Sequence, residues 1–80
     1  MFNPPQKADE VAIDLCDFAN RYVKEFSKEP GAKALAEYMT RTGKDEIAFE
    51  KSERDHYLLN GKRLSLRSIR DRLKQYRRET

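Results

Sequence analysis

EIAFEKSERDHYLLNGKRL, residues 46–64, decides whether this chain folds as helices alone or as helices with a sheet. Ile47 and Phe49 alternate with Glu46, Ala48 and Glu50, the period of a half-buried strand. Lys51-Ser52-Glu53-Arg54-Asp55 is wholly polar and reads as a turn, after which Tyr57, Leu58 and Leu59 resume the apolar pattern. Asn60-Gly61 follows, the strongest short-range hairpin signal, because both residues tolerate positive φ. The expected elements are antiparallel strands over 46–51 and 55–59, with 62–64 as a short third. The rival is a helix across 45–59, but Lys51 and Arg54 would break its apolar stripe.

Upstream, two helices are expected. In the first, Val11, Leu15, Phe18, Tyr22 and Phe26 step by three or four, and Ala12, Ala19 and Val23 widen the stripe. Asn3 is the expected N-cap, with Pro4 at the first helical position and Gln6 as capping-box partner. Pro30-Gly31 closes this helix, and Pro30 opens the second, whose inner face is Leu35, Tyr38, Met39 and Thr42. Gly43 is expected to end it at positive φ. Downstream, Ser65 caps a third helix in which Leu66, Ile69, Leu73 and Tyr76 form the apolar stripe. Arg67 and Asp71 are spaced to pair along it. The expected fold is therefore a small single α+β domain over 1–80, mostly helical, ordered helix–helix–β-hairpin–helix (α-α-β-β-α). Residues 1–5 form a terminal arm and 61–80 a basic C-terminal helix region.

Eighty residues leave little room for a core, and covering apolar faces by association would help, which makes a homodimer a candidate assembly. No apolar run approaches the ~18 residues of a membrane span, and Met1-Phe2-Asn3-Pro4-Pro5 lacks the character of a signal peptide. A lone cysteine, Cys16, allows no intramolecular disulfide, so a cytoplasmic location is expected.

Catalytic chemistry finds few candidates. One histidine and one cysteine exclude a structural zinc site, and no calcium loop or phosphate-cradling glycine run is present, so no metal and no cofactor is expected. Cys16 sits mid-helix, where a packed thiol is the ordinary state, and His56 borders a strand without an orienting partner. Asp14 with Asp17, or Glu50 with Glu53, read as solvated charges. The chain is expected not to be an enzyme.

The charge is divided. Residues 1–60 carry nine Lys or Arg against twelve Asp or Glu, a balance of −3, whereas residues 61–80 carry eight against two, a balance of +6. Such asymmetry points to a polyanion, provided the tail does not fold back on the acidic body. Arg67, Arg70, Lys74, Arg77 and Arg78 share one helical sector, and Arg72 stands apart. Ser65 and Ser68 can reach a phosphate, and Arg67 and Arg70 can probe base edges.

The run Leu64-Ser65-Leu66-Arg67-Ser68-Ile69-Arg70-Asp71-Arg72-Leu73 resembles recognition helices of helix-turn-helix and winged-helix regulators. That resemblance implies DNA binding and transcription regulation, although a hairpin signal stands where those families place a helix and sharp turn. The expected nucleic-acid contacts are Lys62, Arg63, Arg67, Arg70, Lys74, Arg77 and Arg78. The alternative is a protein-interaction module, an inhibitor or adaptor, whose Arg face docks on an acidic protein surface. A membrane partner is not expected, since the last helix needs its apolar face for folding and lacks Trp.

Overall fold

The computed structural model describes residues 1–77. Helix α1 spans Glu10–Phe26 and α2 spans Ala32–Thr42; strands β1 (Phe49–Glu53), β2 (His56–Leu59) and β3 (Lys62–Ser65) follow, and α3 (Leu66–Tyr76) closes the chain. The three strands form one antiparallel sheet in the order β1-β2-β3, and helices make up about half of the chain. The α+β class is as expected, and the short third strand is present, giving the order α-α-β-β-β-α. Among the described residues, no helix is long and apolar enough to cross a membrane.

The core forms where the apolar stripes of the helices meet one face of the sheet. Leu15, Phe18, Leu35, Met39, Leu59 and Ile69 are its largest fully buried side chains. Phe49, Tyr57, Leu59 and Leu64 point to the helices, because residues two apart on a strand share a face. At the Asn60-Gly61 turn both residues have positive φ, 51° and 85°, the backbone a tight hairpin needs.

Several local expectations fail for identifiable reasons. α1 does not begin at Asn3: its N-cap is Asp9, whose carboxylate accepts from the Ala12 amide at 2.9 Å. Pro5 disfavours helical geometry at Pro4, a restriction the Pro4-Pro5 pair imposes on itself. Residues 1–3 instead form a strap that crosses α1 and reaches the end of α3. Phe2 is 3% exposed, and its N–H donates to Asn20 Oδ1 (2.8 Å) while Asn20 Nδ2 donates to the Phe2 carbonyl (2.9 Å). The Asn3 N–H donates to the Tyr76 carbonyl at 2.8 Å.

Similarly, α2 starts after Pro30, with Gly31 as its N-cap, and Thr42 is exposed rather than part of the inner face. Gly43 has φ −85°, not positive, and is needed for space: an added Cβ would lie 2.7 Å from the Met39 carbonyl oxygen and 2.8 Å from Ile47 Cγ1. Strand β1 begins at Phe49, three residues late, because Glu46 and Ile47 turn back to hydrogen-bond the Gly43 carbonyl. It then runs through Lys51-Ser52-Glu53, with an irregularity between Lys51 and Glu53, so the turn narrows to Arg54-Asp55.

Candidate nucleic-acid interface

Helix α3 is fixed at both ends. Ser65 Oγ accepts from the Ser68 amide at 3.0 Å, the expected N-cap, and the strap binds its last turn. Ile69, Leu73 and Tyr76 are buried, which turns Arg67, Arg70 and Lys74 outward together. All three side chains are exposed, and none takes part in the ion pairs found among the described residues. The expected Arg67–Asp71 pair is not among them either.

The remaining expected contacts separate. Arg63 lies on the outer face of the sheet, where its Nη2 is 3.3 Å from Glu53 Oε2. Arg77 reaches back across the chain to Glu29, 2.6 Å away. Lys62 carries its charge near Asp9, together with Arg72, which is 3.9 Å from the Asp9 carboxylate and donates to the Tyr76 hydroxyl at 2.8 Å. The Ala12 amide, aided by Arg72 and Lys62, holds the Asp9 carboxyl below its ordinary value. Arg78 lies outside the described residues. Four of the seven expected residues thus do not add to the α3 cluster as drawn from the sequence: Lys62, Arg63 and Arg77 face acids, and Arg78 is not described.

The structure adds one cation to the cluster. Lys33, exposed in the first turn of α2, lines a surface hollow of about 270 Å³ with Ala32, Leu66, Arg67 and Arg70. Its neighbourhood to α3 is tertiary and leaves no signal in the local sequence; only its exposed place on α2 is legible. An adjoining shallow hollow of about 120 Å³ is lined by Arg70 and Lys74, by the Arg77–Glu29 pair, and by Phe2, Gly31 and Ala32. Exposed guanidinium and ammonium groups gathered on a rigid helix suit phosphate oxygens, which they can neutralise with release of counterions.

Cys16 and His56, the two other residues weighed for chemistry, sit in the packed fold. Burial pushes the Cys16 thiol up to about 11, and Cys16 is a free cysteine in the core. His56 is half-buried at the end of β2, with Nδ1 3.0 Å from the Arg54 carbonyl oxygen. Among the described residues no group of three His, Cys, Asp or Glu is placed to hold a metal ion. Comparison of the chain with protein-family models, with curated proteins and with solved structures found no match.

Proposed function

We propose that the chain is a small, non-enzymatic nucleic-acid-binding domain, regulator-like and with DNA as its favoured ligand. It lays the Arg67, Arg70 and Lys74 face of α3, with Lys33 beside it, on the phosphate backbone. The observation that carries this reading is the state of those three α3 cations. They are exposed and outside every described ion pair, while Arg63, Arg72 and Arg77 of the same basic tail are neutralised by Glu53, Asp9 and Glu29. A tail that served only to balance the acidic body would have spent these charges as well. A reducing cytoplasm is the compartment that fits the reading, and the buried free thiol of Cys16 supports it.

Fluorescence anisotropy with a random duplex at several salt concentrations tests the proposal. Four phosphate contacts give a slope of log affinity on log salt of about −3 to −4, and Arg67→Ala/Arg70→Ala reduces its magnitude by about 2. Absence of binding at low salt refutes the reading and leaves an acidic protein surface as the ligand of the α3 face.

A further inference from the structure

Arg67, Arg70, Lys74 and Arg77 follow one another at steps of three, four and three, the spacing of a single helix face. The first three are exposed and outside every described ion pair. The last is held: its Nη2 lies 2.6 Å from Glu29 Oε1. The backbone on both sides of this pair is fixed. The Arg77 N–H donates to the Leu73 carbonyl at 3.0 Å, and the chain there bridges to Phe2 of the strap. Glu29 stands between Ser27, left-handed at φ 58°, and the buried Pro30, where the chain passes from α1 to α2. Only the two side chains are left to exchange partners.

The place of Glu29 gives the pair its meaning. Arg70, Lys74, Arg77 and Glu29 line the same hollow, of about 120 Å³, and Glu29 is the one carboxylate among its lining residues. A phosphate that approaches Arg70 and Lys74 there meets a carboxylate and an already neutralised guanidinium in place of a third cation. Asp9 and Glu53, which face Arg72 and Arg63, line neither this hollow nor the one beside Lys33. Glu29 is thus the one of the three acids that stands where the ligand would lie. The pair adds little to the fold, because its side chains are 59% and 39% exposed and surface ion pairs of this kind are weak and screened by salt. Its effect is on the surface: it takes one cation from the stripe and leaves an anion at the end of it.

We propose that Glu29 is an internal competitor of the nucleic-acid ligand: it occupies Arg77, ends the phosphate-binding stripe at Lys74, and so limits the affinity of the α3 face. This deepens the nucleic-acid reading above and rests on it. Wild type meets phosphates through Arg67, Arg70, Lys74 and Lys33, and Arg77 joins them only when Glu29 carries no charge. A carboxylate and a phosphate can compete for one guanidinium because both offer paired oxygens to the same fork of N–H donors.

Glu29→Gln keeps the size of the side chain and removes its charge, and a urea midpoint close to that of wild type checks its fold. With a random duplex, followed by fluorescence anisotropy, this variant gains one phosphate contact, so its slope of log affinity on log salt steepens by about 0.9. Its advantage over wild type therefore grows about three- to fourfold between about 200 and about 50 mM salt. Arg77→Ala leaves the wild-type slope unchanged, and Glu29→Gln/Arg77→Ala loses the gain. A Glu29→Gln slope equal to that of wild type overturns the proposal. A gain that survives in the double variant also overturns it, since Glu29 would then act only as a distant repulsive charge. A flatter slope in Arg77→Ala alone overturns it too, since Arg77 would already be a contact. In these three cases wild type still binds and the α3 reading stands. If wild type binds no duplex at low salt, the α3 reading fails and the competitor role of Glu29 falls with it.

Discussion

Asn20 holds the N-terminal strap, and replacing it with alanine changes sign with its background. In the full chain, Asn20→Ala removes two hydrogen bonds to the Phe2 backbone, of 2.8 and 2.9 Å. Each contributes about 1 kcal/mol net, since both groups are only partly buried and regain some water. The substitution also places alanine in the middle of a helix, which returns about 0.5 kcal/mol in helix propensity. The expected net loss is about 1.5 kcal/mol, or roughly 6–12 °C in Tm for a domain of this size. In a chain lacking residues 1–3 the side chain has no strap to hold, and only the propensity gain remains. There, Asn20→Ala should stabilise by about 0.5 kcal/mol, so the coupling across the cycle is about 2 kcal/mol. Urea unfolding followed by far-ultraviolet circular dichroism measures all four proteins. Equal losses in the two backgrounds would refute the clamp and assign Asn20 a role within α1 alone.

Gly43→Ala forces a Cβ against the Met39 carbonyl and Ile47, and should cost about 1–3 kcal/mol in denaturant unfolding. Gly61→Ala meets no atom within 4 Å but keeps φ near 85°, so it should cost only the left-handed strain, about 1 kcal/mol; a larger loss than at Gly43 would contradict both assignments. The Asp9 carboxyl is lowered in the folded state from 3.8, so its stabilisation is complete above that value and is lost as pH falls through the folded value. Asp9→Ala should therefore be less stable than wild type at neutral pH, and the difference should narrow as pH falls below 3.8 and through the folded-state value, as read from urea midpoints across pH. Cys16, buried and with its thiol raised to about 11, should resist a disulfide reagent at pH 8 and react only as the chain opens. Labelling in native buffer at the rate of a free thiol would show that the α1 core is not packed as described.

What could be read from the sequence was local. The stripe Leu66, Ile69, Leu73 and Tyr76 with Ser65 before it, and the Asn60-Gly61 turn, each rest on residues within one or two turns of chain, and both are present. The errors lie where a distant neighbour decides. Phe2 becomes a core residue because Asn20 and the end of α3 accept the strap, and nothing near Phe2 announces it. Gly43 is required by Ile47, which folds back over it, so a rule about helix ends gave the right residue for the wrong reason. The alternation at Ile47 and Phe49 was real, but both side chains are drawn inward from different structures, a loop and a strand.

The same distinction governs the charge. Along the sequence, an acidic body precedes a basic tail; in space, the two exchange partners. The body supplies Asp9, Glu29 and Glu53, which neutralise Arg72, Arg77 and Arg63 of the tail. It also supplies Lys33, which lies beside Arg67 and Arg70 of the tail. The cation cluster on α3 thus gains a member from the segment whose net charge is negative. A phosphate backbone laid on Arg67 and Arg70 would also meet Lys33, which an isolated basic helix would not supply. Counterion release depends on where cations stand relative to phosphates and not on the balance of a segment. The surface that distinguishes this domain from a generic basic tail is accordingly the one built by folding, with Lys33 as the residue that only the tertiary structure brings to it.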